Sequence, residues 1–241
     1  MPAKPRYKRV VVKISGQSLC SPDGTGIDAD ALAATADEIA AAAKIGVQVG
    51  LVVGGGNLIR GRDVLDGGDV QRVTADHMGM LATVINALAL RDALEKRRTR
   101  AAVMSAVHVG SVCEPFDCRQ AVAHLEDRRV VIFAGGTGSP LFSTDMCAAL
   151  RAGEVGAEIL MKATKVDGVY DSDPVHNPKA RRYERLTYQQ VIADRLEVMD
   201  LPAVAFCMEH RVPIMVFQLA TPGSLARALT GREVGTIVSE S

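Results

Sequence analysis

The sequence predicts an α/β fold built on a mostly parallel sheet that helices cover on both faces. Two observations support this prediction. Short β-branched strands alternate with helical patterns along the whole chain, and two of the strands end in glycine-rich segments. Strands joined through helices are typically parallel and buried on both faces. At 241 residues the chain is long enough for one domain or two closely joined lobes.

The first predicted strand, residues 9–14, carries a lysine close to its end. Alternation along the strand places Lys13 and Ser15 on the same side, next to Gly16. Most lysines lie in solvent at a surface or an edge. A lysine inside an apolar strand and beside a Ser-Gly turn favours a functional role instead.

A second strand, residues 47–53, runs into three glycines, Gly54–Gly56, and Asn57 then opens a helical turn. Glycines let backbone N–H groups approach a ligand closely, and a helix start adds partial positive charge. The loop therefore suits phosphate, and Arg60 could add a charged contact. A tight turn without a ligand is the alternative, and a single glycine run does not decide between them.

The other elements follow in alternation. Apolar periodicity and capping residues predict helices at 28–46, 74–97, 117–127, 187–195, 202–210 and 222–230, and strands at 101–104, 129–134, 157–161, 214–217 and 235–238.

The loops after two further predicted strands carry residues suited to binding phosphate. The segment 133–145 contains a second glycine-rich loop, which follows a strand and ends at the N-terminus of a helix. The strand at 157–161 is followed by a loop rich in lysine and aspartate. Loops at the carboxyl ends of neighbouring parallel strands converge on one crevice. The sequence lacks both the P-loop and the G-x-G-x-x-G motif. From residues alone, the prediction is an ATP-type phosphotransferase on an unusual α/β sheet.

Composition excludes several classes of protein. Lys+Arg and Asp+Glu both number 28, so the balanced charge argues against a general nucleic-acid or anionic-membrane binder. Five cysteines without a C-x-x-C pair are typical of reduced thiols in a cytoplasmic protein. No apolar run reaches the length of a membrane span, and the histidines lack metal-ligand spacing, so we expect no protein-held metal site.

An ordered set of motifs resembles the bacterial uridylate (UMP) kinases of the amino acid kinase superfamily. It comprises Tyr7–Gly16, Val53–Gly61, Asp76–Asn86, Ala134–Asp145, Lys162–Tyr170, Leu186–Tyr188 and Val198–Asp200. The resemblance implies a three-layer α/β/α sandwich, with an acceptor lobe at 1–150 and an ATP lobe at 151–241. It also implies ATP and Mg²⁺ as phosphoryl donor, UMP as acceptor in pyrimidine nucleotide synthesis, a homohexamer, activation by GTP and inhibition by UTP.

The resemblance also implies roles for individual residues. Lys13 and Lys162 would act on the transferred group, with Asp145 orienting both lysines. Contacts to ATP would come from Lys13, Ile14, Ser15, Gly16, Gly56, Arg60, Thr164, Tyr170 and Asp173. Contacts to UMP would come from Gly55, Asp76 on the ribose, Thr137, Gly138, Ser139, Pro140, Leu141, Phe142, Ser143 and Thr144. Mg²⁺ would be held mainly by the ATP phosphates. The loop linked to GTP activation corresponds to Ser21, Pro22, Asp23, Gly24, Thr25 and Gly26.

The chain departs from the family pattern at Gln17, where glutamate is usual, and at Ser139 and Ser143 in the acceptor loop. Two alternatives remain open. One is a kinase of the same superfamily that phosphorylates a carboxylate or carbamate. The other is a nucleotide-binding storage or sensor protein on the same fold.

Overall fold

The computed structural model describes residues 4–21, 24–59, 68–232 and 234–240. Within these residues nine strands form one sheet in the order β4-β3-β5-β2-β1-β6-β8-β9-β7. Neighbouring strands are parallel except for the antiparallel pair β8 and β9. The mostly parallel sheet predicted from the sequence is confirmed.

The strands are β1 (Arg9–Ile14), β2 (Gln48–Val53), β3 (Ala101–Ser105), β4 (Glu114–Pro115), β5 (Val130–Ala134), β6 (Ile159–Thr164), β7 (Arg185–Thr187), β8 (Ile214–Gln218) and β9 (Gly235–Ser239). The helices are α1 (Ala29–Lys44), α2 (Arg72–Lys96), α3 (Cys118–Glu126), α4 (Thr144–Glu154), α5 (Tyr188–Ala193), α6 (Leu201–Glu209) and α7 (Ser224–Leu229), with a short 3₁₀ helix at Gly16–Leu19.

Helices cover both faces of the sheet, as the predicted α/β/α sandwich requires. Buried residues of α1, α2 and α7 share one hydrophobic core with the sheet, and those of α3, α4, α5 and α6 share another. Along β1, Val10, Val12 and Ile14 pack into the first core and Val11 into the second. Alternation therefore directs Lys13 toward the layer that contains α4.

The structure extends one predicted strand and adds two short ones. The sequence placed the end of the strand after α4 at 161, but β6 continues to Thr164, so Lys162 is a strand residue. The strands β4 and β7 lie at the two edges of the sheet within polar sequence. A two- or three-residue edge strand has too few residues to show an alternating pattern, which is why the sequence did not reveal them.

The long helix α2 buries a different face from its most obvious apolar stripe. Leu81 and Ile85, which recur at helical spacing, are about half exposed. The buried face carries Thr83 and Asn86 together with small and aliphatic residues. By length and composition α2 could cross a membrane, but it packs on β3 and β5, and 44% of its most apolar segment is buried.

The cysteines are free thiols, as predicted. Burial raises the pKa of the Cys147 thiol to about 11 and that of Cys207 to about 12. Both thiols therefore stay protonated at neutral pH and behave as small apolar side chains.

Candidate functional site

Two lysines from adjacent strands meet one carboxylate at the carboxyl end of the sheet. Lys13 in β1 pairs in register with Lys162 in β6, so both side chains face the layer of α4. Asp145, in the first turn of α4, lies between them. Its Oδ1 is 2.8 Å from Lys13 Nζ, and its Oδ2 accepts a hydrogen bond from Lys162 Nζ at 2.9 Å. We call these three residues the lysine–aspartate cluster.

The cluster is largely buried and carries a net positive charge. The side chains of Lys13, Asp145 and Lys162 are 12%, 13% and 16% exposed. Burial alone raises the pKa of the Asp145 carboxyl, but the charges of the two lysines lower it more, and the resulting pKa lies below the ordinary value. Asp145 is therefore ionised at neutral pH, and two ammonium groups share one negative charge. The remaining positive charge can attract an anion.

The glycine loop at the end of β2 packs closely against its neighbours. A Cβ on Gly16 would lie 2.3 Å from Asn57 Oδ1 and 2.7 Å from Gly54 O. Gln17 Nε2 donates to Gly56 O at 3.2 Å, which a glutamate carboxylate could not do. The amide at this departure from the family pattern thus has a specific contact.

Gly55 and Gly56 offer a matched pair of substitutions. A Cβ on Gly55 would lie 2.7 Å from Gly79 O in α2 and 2.8 Å from Ala82 Cβ, whereas a Cβ on Gly56 meets nothing within 4 Å. We expect Gly55→Ala to lower the free energy of unfolding by about 1–3 kcal/mol, because backbone must move to make room. Gly56→Ala should change it little. Urea unfolding of both variants tests this, and equal stabilities would contradict it.

A cavity of about 430 Å³ lies between the glycine loop, α2 and the loop after β5. We call it the acceptor cavity. Its wall includes Gly55, Gly56, Arg72, Asp76, Met80, Thr83, Gly136, Leu141, Phe142, Ser143, Thr144 and Asp200. The structure thus brings together most of the residues expected to contact UMP. It also places Gly56 in this wall, although the resemblance assigned that glycine to ATP.

Asp76 holds the loop after β5, which forms part of the wall of the acceptor cavity, through a hydrogen bond. Its Oδ2 accepts the backbone N–H of Leu141 at 2.9 Å, and its Oδ1 accepts Arg72 Nε at 3.1 Å. Leu141 has a positive φ of 71°, a conformation that an L-residue adopts at a cost. The hydrogen bond that the Leu141 N–H donates to Asp76 helps to hold Leu141 in this conformation, with its side chain exposed at the cavity.

At the tip of the same loop, Thr137 and Ser139 form hydrogen bonds with each other. Thr137 Oγ1 donates to Ser139 O at 3.0 Å and accepts Ser139 N at 3.2 Å. Among the described residues, this loop contributes Gly136 and residues 141–144 to the wall of the acceptor cavity, and not 137–140. Ser143 Oγ accepts the N–H of Met146 and caps α4, which fixes the helix that carries Asp145.

A second cavity, of about 530 Å³, lies on the other side of β1, at the ends of β1, β6 and β8. We call it the donor cavity. Ser15, Gln17, Thr35, Glu38, Ala163, Thr164, Lys165, Leu219, Ala220 and Pro222 contribute to its largely apolar wall. Lys162 directly precedes Ala163 in this wall, and Asp145 directly follows Thr144 in the wall of the acceptor cavity. Each end of the lysine–aspartate cluster is therefore next in the chain to a residue that lines one of the two cavities.

Two of the expected ATP contacts have partners within their own loop. Tyr170 Oη donates to Asp167 Oδ1 at 2.6 Å, and Asp173 Oδ2 lies 2.6 Å from His176 Nδ1. Neither side chain is part of the donor-cavity wall as the structure describes it. Thr164 is part of that wall, and its Oγ1 donates to Val166 O at 2.6 Å.

Some predicted residues cannot be placed. Arg60, Pro22 and Asp23 lie outside the described residues. Of the loop linked by resemblance to GTP, the structure describes Ser21, Gly24, Thr25 and Gly26. In this loop Gly24 N donates to Ser21 O, and Gly26 N donates to Asn57 O at 2.8 Å. The loop is thereby attached to the first turn after the glycine loop.

Sequence reasoning missed several residues that support the site. Thr83 Oγ1 accepts Gly135 N at 2.8 Å and so holds the start of the loop after β5. Arg151 is 3% exposed, its guanidinium lies 3.6 Å above the Phe116 ring, and its Nη2 donates to Gly136 O at 3.4 Å. A polar residue on the buried face of an apolar helix was the available signal, but the sequence alone does not reveal which face is buried.

The described residues contain no group of three or more His, Cys, Asp or Glu side chains that could hold a metal ion. Both oxygens of Asp145 face lysine ammonium groups. The Asp145 carboxylate is therefore engaged by the two lysines, and the expectation that ATP phosphates hold Mg²⁺ stays a prediction.

Fold and site together define an α/β protein with a buried, positively charged cluster at the carboxyl ends of adjacent parallel strands, an arrangement suited to phosphorylated ligands. Comparison with known proteins gives the family. The model of the amino acid kinase family matches residues 8–218. The chain belongs to this family, and its similarity is to the uridylate kinases within it.

The relatives match over nearly the full chain. A uridylate kinase of Legionella pneumophila (strain Paris) is 52% identical over 98% of this chain and 95% of the relative. A uridylate kinase of Methylococcus capsulatus is 50% identical over 98% of both chains. The crystal structure of a UMP kinase from Bacillus anthracis matches with a TM-score of 0.94 and 36% identity, covering 98% of this chain and 97% of that one. The family resemblance inferred from the motifs is confirmed.

Proposed function

We propose that the chain is a UMP kinase, which transfers the γ-phosphoryl group of ATP to UMP and releases ADP and UDP. The buried lysine–aspartate cluster, whose members Asp145 and Lys162 are next in the chain to residues that line two cavities, carries this proposal. The acceptor cavity would hold UMP and the donor cavity would lie on the ATP side. In this arrangement residues 1–150 would form most of the acceptor lobe and residues 151–241 most of the ATP lobe, while the segment 15–38 would also contribute to the donor cavity.

Phosphoryl transfer mainly requires positioning and stabilisation of negative charge. The transferred group carries charge on its peripheral oxygens, and preorganised cations in a site with little water stabilise it strongly. Lys13 and Lys162 supply two such cations on rigid, adjacent strands. Asp145 keeps both ammonium groups in place before substrate arrives. Its lowered pKa makes it a poor proton acceptor, so its role is to orient the lysines.

The acceptor needs no general base. The second pKa of a phosphate monoester is about 6, so UMP is largely a dianion at neutral pH and its oxygen is already a nucleophile. This agrees with the lysine–aspartate cluster and with the two cavity walls, which include no histidine among the residues that the structure describes. ATP would enter as its Mg²⁺ complex, whose metal supplies further charge neutralisation.

Discrimination between ribose and deoxyribose would depend on Asp76, which lines the acceptor cavity on α2. A site that bonds a hydroxyl rejects the analogue that lacks it, because a hydrogen bond to a charged group is lost and not replaced. We expect kcat/KM for dUMP to be at least about 100-fold below that for UMP. In Asp76→Asn the ratio should shrink to about tenfold or less, even though the lost Leu141 contact weakens binding of both nucleotides.

The control for this ratio is Asp92→Asn, an exposed carboxylate on the same helix that pairs with Arg91. This variant should keep the discrimination of the wild type. Competition kinetics with UMP and dUMP measure the ratio directly. Equal kcat/KM values for the two nucleotides in the wild-type protein would contradict a role of Asp76 at the ribose.

The proposed function is tested by ADP release from ATP and Mg²⁺ with UMP, CMP, dUMP and acetylglutamate offered separately. We expect rapid release with UMP. Preferential release with acetylglutamate would favour a kinase for a carboxylate acceptor. A folded protein that binds ATP and releases no ADP with any acceptor would favour the storage or sensor alternative.

We extend the proposal to assembly, regulation and location. A cytoplasmic homohexamer that GTP activates and UTP inhibits is what the family resemblance implies. The exposed apolar side chains Val73, Leu81 and Ile85 on α2 support association with further copies, because contiguous apolar surface is unfavourable in water. Mass measurement in solution and assays with GTP and UTP test these points separately.

A further inference from the structure

Two buried asparagines lie behind the glycine loop. Asn57 is 1% exposed and Asn86 is fully buried. Neither belongs to the wall of either cavity as the structure describes it. Burying an amide is unfavourable unless its N–H and C=O groups find partners. A buried pair next to a ligand-binding loop therefore raises the question of what its hydrogen bonds hold.

The two amides bond each other head to tail. Asn86 Nδ2 donates to Asn57 Oδ1 at 2.7 Å, and Asn57 Nδ2 donates to Asn86 Oδ1 at 3.1 Å. The remaining N–H of Asn86 is available to Gly54 O at 2.7 Å, and that of Asn57 to Gly26 O at 2.7 Å. Each amide N–H thus has an acceptor. A fully satisfied buried network of this kind specifies a single geometry.

The bond from Asn86 fixes the direction of one N–H group in the glycine loop. The Gly54 carbonyl and the Gly55 N–H belong to the same peptide unit, and in a planar trans peptide they point in opposite directions. Because Gly54 O points at Asn86, the Gly55 N–H points away from the buried pair. Gly55 itself lines the acceptor cavity. A glycine has no side chain to restrict its backbone, so this orientation needs an external contact.

We propose that the Asn57–Asn86 pair positions the glycine loop for the acceptor phosphate. Asn86 acts through Gly54, so that the Gly55 N–H is directed toward the acceptor cavity before UMP binds. The asparagines are positioning residues, since neither lines the cavity. This inference rests on the proposed function, in that UMP supplies the phosphate.

The test is the effect of Asn86 variants on the two substrates separately. Asn86→Asp keeps the shape and loses the N–H donors, and Asn86→Ser is a smaller change that leaves a hydroxyl too short to reach Gly54. We expect the KM for UMP to rise about tenfold, the loss expected for one hydrogen bond, while the KM for ATP stays within about twofold. If Asn86→Asp fails to fold, the test uses Asn86→Ser alone.

Gln48→Leu is the matched control. Gln48 is a buried amide at the opposite end of β2, where its Oε1 accepts Arg9 Nε at 2.7 Å. This variant should lower the thermal midpoint without changing the KM for UMP. A purely structural role of Asn86 would instead give the same pattern in Asn86→Ser as in the control, and that result would overturn the inference.

Direct binding separates failure of this inference from failure of the proposed function. If the wild-type protein releases no ADP with UMP, the proposed function fails, and the inference is then judged by calorimetric titration of UMP alone. Weaker binding of UMP to Asn86→Ser than to wild type supports the inference. Equal dissociation constants overturn it, whatever the kinetics show.

Discussion

Lys13→Ala should lower kcat by about 10³-fold while the protein stays folded. The ammonium group of Lys13 is largely buried at the end of β1, so its charge acts on the transferred phosphoryl group with little screening by water. The fold should survive because Asp145 keeps its ion pair with Lys162. Steady-state kinetics with saturating ATP and UMP, together with urea unfolding, measure both parts of the prediction.

Lys179→Ala is the control for this variant. Lys179 is exposed in the loop after β6, and its removal should leave kcat unchanged. A kcat for Lys13→Ala within tenfold of the wild type would contradict the mechanism. Lys162→Ala should show a loss of similar size. Because the two lysines act on the same group, the loss in the double variant should be smaller than the product of the single losses.

Asp145→Asn should both destabilise the protein and slow turnover. Removing the carboxylate leaves two buried ammonium groups without their shared negative charge. Removal of one partner from a buried ion pair typically costs about 3 kcal/mol of unfolding free energy. We expect a loss of this order at pH 7, and a fall in kcat because the lysines are no longer held in position.

The loss of stability should depend on pH. Because the pKa of Asp145 is lowered in the folded state, its carboxylate stabilises the protein above the unfolded pKa of about 3.9. That contribution disappears as the pH falls through the lower, folded-state pKa. The difference between wild type and Asp145→Asn should therefore be full at pH 7 and shrink below about pH 4.

Asp127→Asn provides the matched control for the stability measurement. Asp127 also lies between two cations, Arg100 and Arg129, but it is at the surface. Water screens that pair, so its removal should change stability little. Urea unfolding of both variants at pH 7 and pH 3 makes the comparison. Equal losses in the two variants, or a loss for Asp145→Asn that is as large at pH 3 as at pH 7, would contradict this account.

The sequence determined the order of elements and the chemistry at several strand ends. The β-branched run before Ser15 and the three glycines after β2 are local patterns, and local patterns are what strand and turn propensities report. The ordered motifs gave the family, which the comparisons confirm. The expected roles of individual site residues remain predictions.

Only the tertiary structure decided which of these residues meet. Asp145 and Lys162 are 17 residues apart in the chain, and Lys13 is far from both, but pairing of β1 with β6 brings the three side chains together. Asn86 looks like an ordinary polar residue in a helix until its face of α2 is known to be buried. Conversely, Leu81 and Ile85 have helical spacing typical of a core and are half exposed.

The physical reason is that sequence periodicity fixes the period of an element but not its rotation or its neighbours. A helix with apolar residues on more than one side can bury any of them, and strand order follows from packing of the whole chain. The sequence by itself determined which chemical groups stand at each strand end. The tertiary structure determined which groups share a site. It did so through the strand order β2-β1-β6 and through the packing of α2 and α4 on opposite faces of the sheet.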